Sequence, residues 1–115
     1  MYSFKKLKQN SDFRRTYGRG TTFVNAAFVT YAFKNRYHSG RSIGITAGKK
    51  LGGAVQRNRA KRVITAAFAE ISDKIKPGYD IVFVARTKIL ALKSTEVSAL
   101  MLKIFEEADL LNPDA

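Results

Sequence analysis

The chain has 115 residues, with 21 Lys and Arg, nine Asp and Glu, one His and no Cys. Disulfides and thiolate metal sites are therefore excluded, and one domain spanning residues 1–115 is expected to bury a core without covalent staples. The net charge of +12 is uneven, because residues 1–62 hold fifteen cations against Asp12 alone whereas residues 63–115 hold six against eight acids, which assigns any polyanion-binding surface to the first half.

No apolar run approaches the roughly 18 residues of a membrane span, and polar residues rather than an apolar stretch follow Met1-Tyr2-Ser3-Phe4-Lys5-Lys6. No signal peptide and no membrane partner are expected, and the expected location is cytoplasmic. Next, Asn10-Ser11-Asp12 offers short polar side chains to the orphan N–H groups of a first helical turn. A short helix through residues 13–17 is expected to stop at Gly18 and Gly20 by positive φ, with Phe13 and Tyr17 on one face. Residues 21–33 read as strand broken near Asn25, with Val29, Tyr31 and Phe33 facing one way. Residues 34–40 read as a hairpin loop, and the strand returns over 41–47 with Ile43 and Ile45 on one face. His38 stands in that loop without a neighbouring acid or nucleophile, so it reads as an ordinary surface residue.

Residues 48–53 form a Gly- and Lys-rich loop that lacks the Gly-x-x-x-x-Gly-Lys-[Ser/Thr] order of a P-loop. Ala60, Val63, Ile64, Ala67, Phe68 and Ile71 recur at helical spacing and predict an amphipathic helix from near Ala54 to near Lys76, before Pro77-Gly78. Its outer face carries Arg57, Lys61 and Thr65 on one line and Asn58 and Arg62 on the next, with Arg59 at the border of the two faces. Six cations fall within residues 49–62, and no acid stands between Asp12 and Glu70. A merely solvated helix face would interleave Glu so that neighbours attract; this uncompensated block points to a polyanion. A membrane-surface helix would need free bulky apolar residues, and Val63, Ile64 and Phe68 are required by the core. Residues 79–85 suit a central strand buried on both faces, residues 87–93 connect, and Ser94-Thr95-Glu96 opens a last helix that Asn112-Pro113 ends. The order is α-β-β-β-α-β-α, an α+β sandwich (a helix-on-sheet α/β sandwich) in a single domain with a four-stranded sheet.

The series Lys49-Lys50-Leu51-Gly52, Ala54-Val55 and Arg57-Asn58-Arg59-Ala60-Lys61-Arg62 resembles the signature of the bacterial ribonuclease P protein family. Leu7-Lys8, Asp12-Phe13, Phe28-Val29-Thr30-Tyr31 and residues 81–86 fall where that family has matching elements, so the resemblance covers about residues 5–111. Gly48, Gly53 and Thr65 depart from the residues usual at those places. Gly53 can still open the helix, since Gly at an N-cap costs only about a few tenths of a kcal/mol relative to Asn. The resemblance implies a mixed sheet with an unusual left-handed βαβ crossover, whereas the general rule for a strand-helix-strand unit is right-handed.

It also implies the function: protein subunit of the ribonucleoprotein endonuclease that removes 5′ leaders from precursor tRNA, with catalysis by RNA and no catalytic residue in the protein. Lys49, Lys50, Arg57, Asn58, Arg59, Lys61 and Arg62 are the implied RNA-binding residues. Phe13, Tyr17, Val29 and Tyr31 are the implied cleft for the single-stranded leader, where aromatic rings stack on any base; read without the resemblance, Phe13 and Tyr17 would pin a helix to the sheet. The implied partners are the catalytic RNA and precursor tRNA, and no protein partner is evident; Mg²⁺ is required by the assembled enzyme, and no metal or cofactor is assigned to the protein alone. The residues agree, because protein-catalysed phosphodiester hydrolysis needs clustered carboxylates or a His-based acid and base, and only one acid stands among the first 69 residues. The alternative from composition alone is a non-enzymatic basic RNA-binding protein, such as a ribosomal protein or RNA chaperone. A DNA-binding regulator lacks a helix-turn-helix partner or dimerisation heptad.

Overall fold

The run Tyr79–Ala85, apolar apart from buried Asp80, is where the sheet is built. The computed structural model describes residues 4–7, 10–35 and 40–113, and His38 lies outside them. In chain order the elements are β1 (Lys5–Lys6), α1 (Asn10–Arg19), β2 (Thr21–Val24), β3 (Phe28–Lys34), β4 (Arg41–Thr46), α2 (Ala54–Ile71), β5 (Tyr79–Ala85) and α3 (Ser94–Glu107). Single 3₁₀ segments occupy Lys49–Leu51, Ser72–Lys74 and Thr87–Ala91.

The sheet is mixed, with strand order β1-β4-β5-β3-β2. β5 runs parallel to β4 and antiparallel to β3, so the segments before and after residues 34–40 are not the paired hairpin expected from sequence: β5 lies between them. A strand apolar on both sides is most stable with a neighbour at each edge and helices on each face. The sheet has five strands rather than four. The extra one is Lys5–Lys6, parallel to Ser42–Ile43, and two exposed lysines carry no alternation by which to foresee a strand.

Alternation divides the sheet into two faces. Phe28, Ile43, Ile81 and Phe83 point to one, where they are buried with Ile64 and Phe68 of α2 and Met101 and Phe105 of α3. Phe83 is the hub, with ring centroids 5.6 Å from Phe28, 5.9 Å from Phe68 and 6.3 Å from Phe105. Each such edge-to-face pair contributes about 0.5–1.5 kcal/mol beyond its area burial. The other face carries Val29, Tyr31, Val82, Gly44 and Thr46, and α1 packs across β3 and β5 there.

Several helix ends differ from expectation. Gly18 lies inside α1, and neither it nor Gly20 has positive φ; Gly52 and Gly78 do. Gly20 is needed for close approach instead, since a Cβ there would meet the carbonyl oxygens of Thr16 and Ala32, the latter at 2.9 Å. α2 stops at Ile71, before Lys76, and a 3₁₀ turn leads to Ile75, which bridges to Leu111. α3 stops at Glu107 rather than at Asn112-Pro113. Asp109 takes φ 57° and lets Leu110 fold back, its N–H donating to the Phe105 carbonyl at 2.8 Å. Buried Leu110 thus caps the core beneath α3.

Candidate nucleic-acid interface

The half-covered face of the sheet forms a cleft beside α1. Asp12, in the first turn, pairs with Arg15 at 3.3 Å, and Thr16 donates to the Asp12 carbonyl at 2.9 Å. Buried Thr16 fixes the rotation of the helix, and Phe13 and Tyr17 then face the sheet side together. Phe13 lies over Gly44 so closely that a Cβ on Gly44 would be 2.5 Å from the ring. Tyr17 shares a hydrogen bond of 2.7 Å with Thr46 through the two hydroxyls, and its ring meets Tyr31 edge-on, with centroids 4.9 Å apart at 87°. It nevertheless remains 37% exposed.

Strand register supplies the floor. Val24, Val29, Val84 and Thr46 are successive cross-strand neighbours on β2, β3, β5 and β4. At about 4.8 Å per strand, this row spans about 14 Å. Val24 is 64% exposed, so the apolar row opens to solvent at the outer strand.

The basic side chains enter from the opposite layer. The Lys49–Leu51 turn is pinned by buried Leu51, Gly52 takes φ 120°, and Gly53 opens α2, with its N–H bonded to Gln56 Oε1 at 3.0 Å. Lys49, Lys50, Asn58, Arg59, Lys61 and Arg62 are exposed. Arg57 differs: it is half-buried, and its Nε donates to the Ala47 carbonyl at 3.0 Å. Arg57, rather than the border residue Arg59, is thus the side chain that ties α2 to the end of β4. Thr65 turns back on its own helix, donating to the Lys61 carbonyl at 2.8 Å.

Two grooves connect these parts. One, of about 600 Å³, is lined by Phe13, Arg14, Tyr17, Ile45, Thr46, Ala47 and Lys61, and so lies between α1 and α2 along the β4 edge beyond its pairing with β1. The other, of about 590 Å³, holds Lys49, Lys50, Arg86 and Thr87 and also includes Thr46 and Val84, so it adjoins the cleft floor. Of the residues singled out from sequence, Phe13, Tyr17 and Lys61 share a groove, Tyr31 touches Tyr17, and Val29 continues the floor. Asn58, Arg59 and Arg62 occupy the outer surface of α2 and do not line the cleft. Arg14, Thr46 and Arg86 were missed; only Thr46 carried a sequence signal, lying two residues from Gly44 and therefore on the same side of β4.

Magnesium does not fit the residues at this interface. The carboxylate of α1, Asp12, is engaged by Arg15, and no three His, Cys, Asp or Glu side chains converge among the described residues. No described helix is long and apolar enough to cross a membrane.

Comparison with known proteins agrees with this architecture. The family described as Ribonuclease P matches residues 1–109. The ribonuclease P protein component of Clostridioides difficile is 49% identical over 83 residues, covering 71% of this chain and 72% of that protein. That of Alkaliphilus oremlandii is 32% identical over 112 residues, 97% of each. The solved Staphylococcus aureus RNase P protein is 31% identical, with TM-score 0.81 over 93% of this chain and 97% of that one. The Thermotoga maritima protein is 26% identical, with TM-score 0.77 over 90% and 96%. A family match across nearly the whole sequence, joined to the same fold at that identity, makes this chain a member of the ribonuclease P protein family.

Proposed function

We propose that this chain is the non-catalytic partner in ribonuclease P, binding the enzyme's RNA through α2 and the 5′ leader of precursor tRNA through the cleft beside α1. Its family membership makes it the protein subunit of the ribonucleoprotein that matures tRNA 5′ ends. The observation that carries the finer reading is the groove that Phe13 and Tyr17 share with Arg14 and Lys61. Rings that stack on unpaired bases beside cations that neutralise their phosphates are the two requirements of a single-strand track. A floor of about 14 Å across four strands resembles in extent the sheets on which other RNA-binding domains stack two or three bases.

The two lines of α2 then divide the work. Lys61 lines the groove and Arg57 is tied to its Ala47 wall, while Asn58, Arg59 and Arg62 face outward toward the catalytic RNA, and Lys49 and Lys50 extend the basic surface along the second groove. Reducing phosphate repulsion where two RNAs meet is what such a surface supplies, without a proton-transfer group of its own. Magnesium would be held by RNA phosphates, since no cluster of carboxylates gathers among the described residues.

The test is leader dependence. Tyr17→Leu and Tyr31→Leu retain apolar bulk but remove the flat ring, and a lost stack costs about 1–3 kcal/mol, or about five- to a hundredfold in affinity. Loss for precursor tRNA with no change for mature tRNA supports the leader cleft; equal losses for both reject it.

A further inference from the structure

Tyr17 occupies an unusual position for a ring that is meant to receive a base. It belongs to a ten-residue helix, it is 37% exposed, and its ring packs at a tilt of 44° on its neighbour Phe13, with centroids 6.4 Å apart. Two further contacts hold it: the T-shaped packing with Tyr31 and the hydroxyl of Thr46, the latter from a strand 29 residues further along the chain. An aromatic side chain has two soft torsions, and a ring held only by packing against other rings can still swing about the first. A hydrogen bond at its far end removes that freedom.

We propose that Thr46 is a positioning residue for the leader cleft: its hydroxyl holds the Tyr17 ring in the attitude that receives a base, linking α1 to β4 across the cleft. The proposal rests on the leader-cleft reading. Thr46 is suited to the role because it borders both grooves and stands beside Val84 in the floor. The strand fixes its backbone, and a β-branched side chain is stiff at χ1. Preorganisation of this kind lowers the cost of ordering the ring when the leader binds.

The experiment uses the chain assembled with ribonuclease P RNA and compares dissociation constants for precursor and mature tRNA. The variants are Thr46→Val, Tyr17→Phe, their double, Thr46→Ser and Tyr17→Leu, each melted first to confirm folding. Thr46→Val and Tyr17→Phe should each weaken precursor binding by about three- to tenfold, the size of one hydrogen bond. The double should lose no more than either single, Thr46→Ser should retain wild-type affinity, and mature tRNA should bind equally to all. If Thr46→Val does not fold, Tyr17→Phe reads the same bond from the other side. If Tyr17→Leu weakens precursor binding while Tyr17→Phe and Thr46→Val do not, or if the two losses add, the positioning role is overturned while the cleft stands. If Tyr17→Leu itself has no leader-dependent effect, the cleft reading fails first.

Discussion

Gly44→Ala probes the join between fold and cleft. The new Cβ would lie 2.5 Å from Phe13 Cε1, 2.6 Å from Cζ and 3.3 Å from Leu7 Cδ1. Comfortable carbon–carbon separations are about 3.5–4.0 Å, so the Phe13 ring must retreat by about 1 Å. Overpacking of this kind costs about 1–3 kcal/mol. For a chain of this length, each kcal/mol lowers Tm by about 4 °C, giving an expected fall of about 4–12 °C. Phe13 is also a groove wall, so precursor tRNA should bind the variant assembly more weakly while mature tRNA is unaffected. Circular-dichroism melting and paired dissociation constants measure the two effects. Adding Phe13→Leu should recover part of the Tm but none of the leader affinity. A Gly44→Ala protein with wild-type Tm and wild-type leader affinity would refute the close packing of α1 on β4.

Arg57 and Lys61 share a helix line but should behave differently. Arg57→Lys keeps the charge yet loses the Nε bond to Ala47, lowering stability by about 1 kcal/mol; Lys61→Ala should leave the melt unchanged and weaken RNA binding. Equal melts for Arg57→Lys and wild type would show that the tether contributes nothing. Thr30 Oγ1 is buried without a hydrogen-bond partner among the described residues, so Thr30→Val should raise stability by about 1 kcal/mol, and a lower Tm would show that the hydroxyl is bonded. RNA binding should fall steeply with salt, and Lys49→Ala with Lys50→Ala should reduce the log–log slope by about 0.7–0.9 per lost phosphate contact; an unchanged slope would remove these lysines from the interface.

The elements most legible in the sequence were those whose pattern repeats. β5 is apolar from Ile81 to Ala85, and α2 carries its buried set at helical spacing, so both the central strand and the basic helix stand where the residues put them. Asn25 breaks the early strand by accepting bonds from the N–H groups of Ala27 and Phe28, a local chemistry that sequence can anticipate. Long-range partnerships were not legible. Nothing in the 34–40 segment announces that β5 will enter between its flanking strands, and nothing in Lys5-Lys6 announces an edge. The same limit applied at the interface: charge and spacing marked Arg57 and the family resemblance marked Tyr17, whereas their bonds to Ala47 and Thr46 depend on how α2, α1 and β4 pack.

The central claim is a division of labour in which RNA performs the cleavage and this chain positions the RNAs. The direct measurement is precursor-tRNA processing by three preparations: rigorously RNA-free protein, ribonuclease P RNA alone, and the two together, each across a magnesium series. The protein alone should release no 5′ leader. The combination should cleave through multiple turnovers at magnesium concentrations where the RNA alone is slow, because the basic surface replaces part of the cation requirement. Specific 5′ cleavage by the protein alone, or a combination no faster than the RNA at any magnesium concentration, would contradict the account.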